Sequence, residues 1–387
     1  MIAEICFSKQ EIILNYIEIM QKMCYNKYID KNDYGRGYMK IRLKDIADAT
    51  GYSVNTISHA LRDEPDISEA TKARIRQVAQ ELDYIPNLHA STIKSGKSGI
   101  ISIILPDIIN PHFTIVFHEI EQFFRKHKIT PFFMNTNENA EEEVNAVRLS
   151  IAQNVDGVII CPTQKTTESI RILERSGVPF VLIGRHFNGN PDTNYVVCDD
   201  ENGAYIATEY LLSIGHRAIA YIRPNEQNSS NEERLAGYRR ALREYGVPFD
   251  EGLLLNLCLK GGDNSRAIES FLTEHPECTA VLAFNDMIAY ETIRVLRVLG
   301  RAVPDEISVM GFDNICSDYT FPTMLSSISV SKKHMAQVAS ELLFEQMSQG
   351  KKDAPVDSKK TQIVLPTRLF AWETTTKCPP AKQQGEC

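Results

Sequence analysis

The stretch LKDIADATGYSVNTISHAL (Leu43–Leu61) reads as two short helices around a tight turn. Leu43, Ile46, Ala47 and Thr50 recur at helical spacing and share one face. Gly51 follows, a residue free to take the positive φ that a sharp exit from a helix demands. Ser53 is a good N-cap for the second helix. In that helix Val54, Ile57, Ala60 and Leu61 are expected as apolar anchors, and the outward side chains are polar. RDEPDIS (Arg62–Ser68) then breaks the pattern at Pro65, and Ser68 opens a third helix to Leu82. Its buried stripe is Ile75, Val78, Ala79 and Leu82. Two helices joined through a glycine suggest a helix-turn-helix, whose second helix offers donors and acceptors to a major groove. An ordinary three-helix bundle would carry the same pattern.

Towards the C-terminus the texture changes at Gly99. IISIILPD, ITPFFMNT, VDGVIICP, VPFVLIGR, AIAYIRP, AVLAFND and ISVMGFD are apolar, β-rich runs, each followed by a turn and a stretch of helix length. That alternation predicts parallel sheet with crossover helices, in two sheets or one large one. Asp107, Asn110, His112, Phe113, Asn135, Arg185, Asp286 and Asp313 fall just after strand ends. Ligands of open α/β sheets lie outside the carboxyl ends of strands, so a ligand crevice is expected there.

The chain has 387 residues, which favours two or three compact units. A net charge of −8 excludes a uniformly basic nucleic-acid binder but not a local DNA-reading face. Apolar runs such as Ile100–Leu105 and Val155–Cys161 are too short to span a bilayer, so no membrane partner is expected. Nine scattered cysteines without a CxxC pair read as reduced thiols, and no secretory signal is evident. A cytoplasmic location is the expectation.

Residues 1–39 form an N-terminal extension. It holds a helix-compatible stretch near Glu11–Met23 and then the turn-rich IDKNDYGRGY. The expectation is that translation starts at Met39, because Arg36-Gly37 can be written AGG-GGN, a ribosome-binding purine tract. A native peptide spanning Tyr38–Met39 would refute this. Residues 40–86 make the headpiece, 87–98 a short helical and flexible linker, and 99–370 the α/β domain. The polar tail 371–387, AWETTTKCPPAKQQGEC, is expected to be frayed, with no heptad for tetramer formation.

KIRLKDIADATGYSVNTISHALRDEPDISEATKARIRQVAQELDYIPN resembles the headpiece of the LacI–GalR (lac repressor) family of bacterial regulators. ILPDIINPHF, NVDGVIICP, GVPFVLIGR, CDDENGAYIATEYLLSIGHR, RLAGYRRAL, FNDMIAYETIRVLRVLG, VPDEISVMGFDN and TQIVLPTRL resemble its effector domain in order and spacing. The resemblance covers about Lys40 to Phe370. It implies an α/β protein with a small all-α helix-turn-helix headpiece and a bilobed, periplasmic-binding-protein-like effector domain of two parallel sheets. It also implies a homodimeric repressor on a pseudo-palindromic double-stranded DNA operator, controlled by a small molecule, a sugar or derivative, between the lobes.

By the same resemblance Val54, Asn55 and His59 meet base edges, and Thr56 and Ser58 meet bases and phosphates. Helix capping or solvation would equally explain the two hydroxyls. Ser53, Arg62, Tyr84 and Asn87 join this DNA-binding set. Ala90 falls in the family's hinge helix, and Ile93 stands where the family usually presents a leucine wedge to the minor groove. Arg42 replaces a common capping Thr, Arg62 a common Asn, and Ser91 a frequent basic residue. From Lys40 to Lys97 nine Lys/Arg face eight Asp/Glu, so the salt dependence of DNA binding should be modest. In the crevice the pattern points to Asn110, His112 and Phe113 on one lobe, and to Arg185, Arg234 and Asp286 nearer the other, with Asp313 as a further candidate. The competing roles are a surface pair with Glu232 or Glu233 for Arg234, N-capping for Asp286, and a strand-end turn for Asp313.

No catalytic motif survives inspection, and neither cofactor nor metal is expected. Gly96-Lys97-Ser98 lacks the first glycine of a phosphate loop, because Ser91 stands there. His118-Glu119 lacks the second zinc ligand at Gln122. Asp199-Asp200-Glu201 could suggest a metal but is more simply the turn between lobes, and His216 lies on a strand approach. A transport-type solute-binding protein would share 99–370 but not the headpiece. A regulator of the same family answering to a partner protein stays open.

Overall fold

Three helices, α1 (Leu43–Thr50), α2 (Val54–Leu61) and α3 (Glu69–Glu81), make the N-terminal unit. This computed structural model describes residues 41–85, 97–187, 192–258, 263–318, 321–349 and 360–379. The extension 1–39 with its expected start at Met39, and the hinge positions Asn87, Ala90 and Ile93, lie outside the described residues.

The local signals act as expected. Gly51 ends α1 in the left-handed region, φ 76°, and its N–H donates to Ala47 O. The backbone N–H of Arg42 donates to Asp45 Oδ2 at 2.6 Å, so the missing threonine cap is offset by a carboxylate in the first turn. Ser53 and Ser68 cap α2 and α3 by accepting from Thr56 N and Thr71 N. Ile46, Ile57, Ala60, Ile75, Val78 and Ala79 form the core. Each fully buried isoleucine is worth about 1.5–3 kcal/mol. One expectation fails: Val54 is 44% exposed and anchors nothing. Lys72 is buried, with Nζ 3.1 Å from Asp63 Oδ1 and 2.9 Å from Glu69 Oε1, and Arg76 reaches Asp63 at 2.6 Å. These pairs hold the loop between α2 and α3.

The second unit carries two six-stranded sheets. The first contains β1 (Ile100–Leu105), β2 (Thr130–Asn135), β3 (Gly157–Ile160), β4 (Phe180–Ile183), β5 (Tyr195–Cys198) and β11 (Gln362–Leu365), in the order 2-1-3-4-5-11. The second contains β6 (Ile219–Pro224), β7 (Leu254–Leu257), β8 (Ala280–Ala283), β9 (Ser308–Asp313), β10 (Ser326–Ser329) and β12 (Arg368–Phe370), in the order 7-6-8-9-10-12. All pairings are parallel except β10 with β12. Each of the seven apolar runs contains a strand; six of these strands are largely buried on both faces, which is why their apolarity is continuous, whereas β2 lies at the sheet edge with no fully buried residue.

Eight helices cover the sheets: α4 (Pro111–Lys126), α5 (Ala140–Ala152), α6 (Glu168–Ser176), α7 (Asp200–Ser213), α8 (Ser229–Glu244), α9 (Asn264–Glu274), α10 (Asp286–Val298) and α11 (Lys332–Gln349). The chain passes between the sheets at Asp199–Asp200, between β10 and α11, and between β11 and β12. Three crossings make two lobes.

The tail departs from expectation over its described part, 371–379. Thr374 is fully buried; its carbonyl accepts from Val309 N at 2.7 Å and its hydroxyl donates to Val309 O at 2.7 Å. The Thr376 carbonyl accepts from buried His216 at 3.0 Å, and Cys378 N donates to Ile214 O at 3.0 Å. The segment is polar because its hydroxyls and backbone pair with the second lobe, not because it is solvated.

Candidate functional sites

A crevice opens where the carboxyl ends of both sheets face each other. It encloses about 820 Å³ of empty space, the solvent at its mouth included. The loop after β1 supplies Asp107 and Asn110, and the first turn of α4 supplies His112 and Phe113, from the first lobe. Asn110 caps α4 by accepting from His112 N at 3.0 Å, so its carbonyl oxygen is engaged while the residue lines the wall. His112 packs edge-on to Phe113, with ring centroids 5.0 Å apart. Burial and then the charges of Lys332, Arg234 and Arg185 hold its pKa well below the ordinary imidazole range, so it is neutral. Its Nδ1 lies 3.5 Å from Asp313 Oδ1, across the lobes, and has no hydrogen-bond partner.

Arg185, at the end of β4, is clamped by Glu138: Nη1 reaches Oε2 at 2.9 Å and Nη2 reaches Oε1 at 2.6 Å. Nη1 also donates to Pro162 O at 3.1 Å. Arg234 projects from α8 and is 6% exposed. It pairs with Asp200 (Nε at 3.1 Å), donates to Phe284 O at 2.5 Å, and stacks 3.6 Å from the Phe312 ring centre. No surface pair forms with Glu232 or Glu233; the first lies beside Arg223 and the second on His186. Asp313 lines the crevice, and burial pushes its carboxyl up to about 6 despite Arg234 and Lys332.

Two expectations change: Arg185, following β4, belongs to the first lobe rather than the second, and Asp286 is displaced from the site. It does not line the crevice, and the cap of α10 is Asn285, which accepts from Ile288 N. Asp286 is fully buried beneath β9, accepting from Ser327 Oγ at 2.6 Å and Ile315 N at 2.7 Å. Burial and then the neighbouring Asp313 raise it to about 8, so it is protonated near neutrality. Glu138, Asp200, Glu226, Asn228, Ser230, Phe284 and Asn285 line the crevice and were not among the expected residues. Glu138, Glu226, Phe284 and Asn285 also follow strand ends, so the same rule would have reached them.

The lobes also touch beside the crevice. Gln164 donates to His186 O at 2.6 Å and accepts from Ser229 N at 2.7 Å. Ser230 donates to Gly184 O at 3.1 Å, and His186 Nε2 meets Glu233 Oε1 at 2.7 Å. The Glu233 carboxylate raises the His186 pKa. These contacts join the loops after β3 and β4 to the start of α8.

In the headpiece Val54 and Asn55 are exposed at the start of α2. Ser53 and Thr56 are tied together by the cap, with their hydroxyls 2.9 Å apart. Ser58 is half-buried, and His59 is held by Asp66, Nδ1 to Oδ2 at 2.7 Å. Arg62 Nε is buried without a hydrogen bond, and Tyr84 is half-buried near the end of the described headpiece. Asn55 is thus open to solvent, and the Asp66 contact engages only Nδ1 of His59, leaving Nε2 without a bond among the described residues.

A helix-turn-helix unit in one chain with a bilobed receptor of two parallel sheets defines a ligand-responsive DNA-binding transcriptional regulator. Residues 98–370 match the family of periplasmic binding proteins and the sugar-binding domain of the LacI family, and residues 42–87 match the bacterial regulatory proteins of the lacI family. The chain belongs to the LacI family. It is 28% identical to the HTH-type transcriptional repressor PurR of Aliivibrio fischeri (strain ATCC 700601 / ES114) over 324 residues, 83% of this chain and 96% of that one. A LacI family regulator from Enterococcus faecium, solved with bound ribose, is 26% identical with a TM-score of 0.61, covering 72% of this chain and 99% of the other. The lac repressor dimer bound to operator and the anti-inducer ONPF has the same fold, with a TM-score of 0.74 at 21% identity, covering 87% and 100%.

Proposed function

We propose that this regulator is a repressor that binds a pseudo-palindromic operator as a homodimer and changes its operator affinity when a small polar molecule, a sugar or derivative, enters the crevice. The observation that carries the reading is the crevice itself: polar groups of both lobes converge there, and two buried polar atoms in its wall, His112 Nδ1 and Glu226 Oε2, have no partner. A ligand bridging His112 and Phe113 on one lobe with Arg234 and Asp313 on the other would fix the angle between them; Asn110 and Arg185 shape the first wall. The ligand acts only as far as it prefers one lobe arrangement. The ribose-bound relative supports the sugar class, and the operator-bound dimer of the same fold supports the assembly.

On DNA, Val54, Asn55 and His59 read base edges, while Ser53, Thr56, Ser58, Arg62 and Tyr84 position the headpiece on phosphates. Asn87, Ala90 and Ile93 enter the minor groove. Catalysis is not part of the reading: burial pushes the crevice thiols Cys161 and Cys198 up to about 12, far from nucleophilic at neutral pH. No helix among the described residues is long and apolar enough to cross a membrane, which accords with a cytoplasmic regulator.

The test is selection of genomic promoter fragments by the full chain, repeated with a sugar and nucleoside panel. His112→Ala and Phe113→Ala should each abolish the metabolite effect and leave operator binding intact. A folded protein with no preference among fragments under any metabolite would refute the proposal.

A further inference from the structure

Seven formally charged side chains line the crevice: Asp107, Glu138, Asp200, Glu226 and Asp313 against Arg185 and Arg234. With His112 neutral, the formal excess is three negative charges. Each guanidinium already has its charge compensated by a carboxylate. Arg185 spends its fork on both Glu138 oxygens and the Pro162 carbonyl. Arg234 is taken by Asp200 and the Phe284 carbonyl, and its guanidinium is flanked by the Phe312 and Phe284 rings, their centres 3.6 and 4.4 Å away. Lys332 is buried and donates to Asp313 O at 2.6 Å and Asn314 O at 3.1 Å.

The Arg185–Glu138 clamp is built into the backbone. Asn137 and Glu138 both adopt the left-handed region, φ 50° and 54°, which glutamate rarely occupies. Lys165 Nζ and Glu138 N secure that turn through Glu138 O at 2.9 Å and Pro106 O at 3.2 Å. A strained turn that presents a carboxylate to an arginine is held for that contact. Glu226 Oε2, meanwhile, is a buried acceptor with no donor. A carboxylate oxygen accepts and cannot donate, so what completes it is a hydroxyl or an N–H.

We propose that the crevice selects an effector without negative charge and rich in hydrogen-bond donors, a neutral polyol or its amine-bearing analogue, and rejects phosphorylated or carboxylated forms of the same skeleton. This rests on the effector reading above and narrows it. Like charges brought together without a counter-charge should weaken an anionic analogue about 100-fold.

The experiment is thermal denaturation of the full chain at pH 7.5 with matched sets: ribose and ribose 5-phosphate; glucose, glucosamine, glucuronate and glucose 6-phosphate; galactose, galactosamine and galacturonate; adenosine and its monophosphate. The expected result is a midpoint rise with a neutral member, kept by its amine and lost by its anion at equal concentration. An anion that outperforms its neutral parent, in a manner abolished by Phe113→Ala, overturns the inference and leaves the effector reading standing. Silence from every member, with operator selection intact, overturns both. A second arm needs no known effector. Inorganic phosphate, compared with chloride at equal ionic strength, should stabilise Glu138→Gln more than wild type, because Arg185 is released. Adding Arg185→Ala should remove that gain. An equal phosphate effect on all three proteins would refute the claim that Glu138 closes the site to anions.

Discussion

Gly237→Ala is expected to damage both the fold and the effector response, and the cause is geometric. A Cβ at Gly237 would lie 2.0 Å from Glu201 O, 2.8 Å from Tyr205 N and 3.0 Å from the Ala204 Cβ. Carbon contacts settle at about 3.5 Å, so α8 and α7 would have to part by roughly 1.5 Å. Two of the three obstacles are backbone atoms, and no rotamer change relieves them. Overpacking costs about 1–3 kcal/mol, and backbone obstacles put this site at the upper end. For a domain this size that lowers the melting temperature by about 6–12 °C. The same displacement acts on the crevice. Arg234 lies one turn before Gly237 on α8, and its partner Asp200 begins α7, 3.1 Å from Arg234 Nε. Moving the helices apart pulls this pair open. Gly300→Ala is the internal control: its φ is 70°, but nothing lies within 4 Å of the added carbon. It should lose only the left-handed penalty, about 1–2 kcal/mol. Differential scanning fluorimetry with and without the best effector measures both effects. A Gly237→Ala midpoint no lower than that of Gly300→Ala, with the effector shift retained, would refute the reasoning.

Asp286 is raised to about 8 in the fold against 3.8 as its ordinary value, so folding takes up a proton between these pH values. The stability it confers is complete in acid and is lost as pH rises through about 8, at up to ~1.4 kcal/mol per pH unit. Asp286→Asn should flatten the fall in melting temperature between pH 6.5 and 8; an unchanged slope would count against a neutral Asp286. The raised His186 pKa has the same sign: its pair with Glu233 is full in acid and weakens as pH rises through the folded value. His186→Ala should therefore speed amide exchange around Gln164 and Ser229, and equal protection would show that this contact does not hold the lobes. Thr374→Val removes a donor to Val309 O and an acceptor for Ser326 N, both buried, and should cost about 1–3 kcal/mol in urea unfolding. His59→Ala should weaken selected operator fragments more than random DNA, and Asp66→Ala should strengthen both by removing a carboxylate beside the imidazole. An equal loss for His59→Ala on both DNAs would contradict base reading.

Most of the architecture was legible because its signals are local. Caps, the positive-φ glycine at position 51 and the fully covered strands each lie within a few residues. The strands outside the seven apolar runs show what local pattern cannot carry. β10 is Ser-Ser-Ile-Ser: buried Ser326 finds its partners in the tail, from Trp372 to Thr375, nearly fifty residues away, and buried Ser327 finds its own in Asp286 and Asn314. The same distance hides the tail's own order, since TTT reads as solvated until Ser326 and Val309 are known to face it.

The site divides along the same line. Strand ends mark which loops reach the crevice, so Asn110, His112, Phe113, Arg185, Arg234 and Asp313 all arrive there. One residue of register decides the exception. Asn285 and Asp286 can both cap a helix, and choosing Asn285 turns the next side chain about 100° around the axis. That sends Asp286 under β9, into space that exists only because Gly311 has no Cβ; a carbon there would lie 2.2 Å from Asp286 Oδ1. The pairing of Glu138 with Arg185 spans 47 residues and follows from the order of strands 2-1-3-4, which no local pattern encodes. Charge selectivity belongs to that level. Two arginines stand in the crevice, and the topology brings a carboxylate to each, so the preferred ligand carries no negative charge.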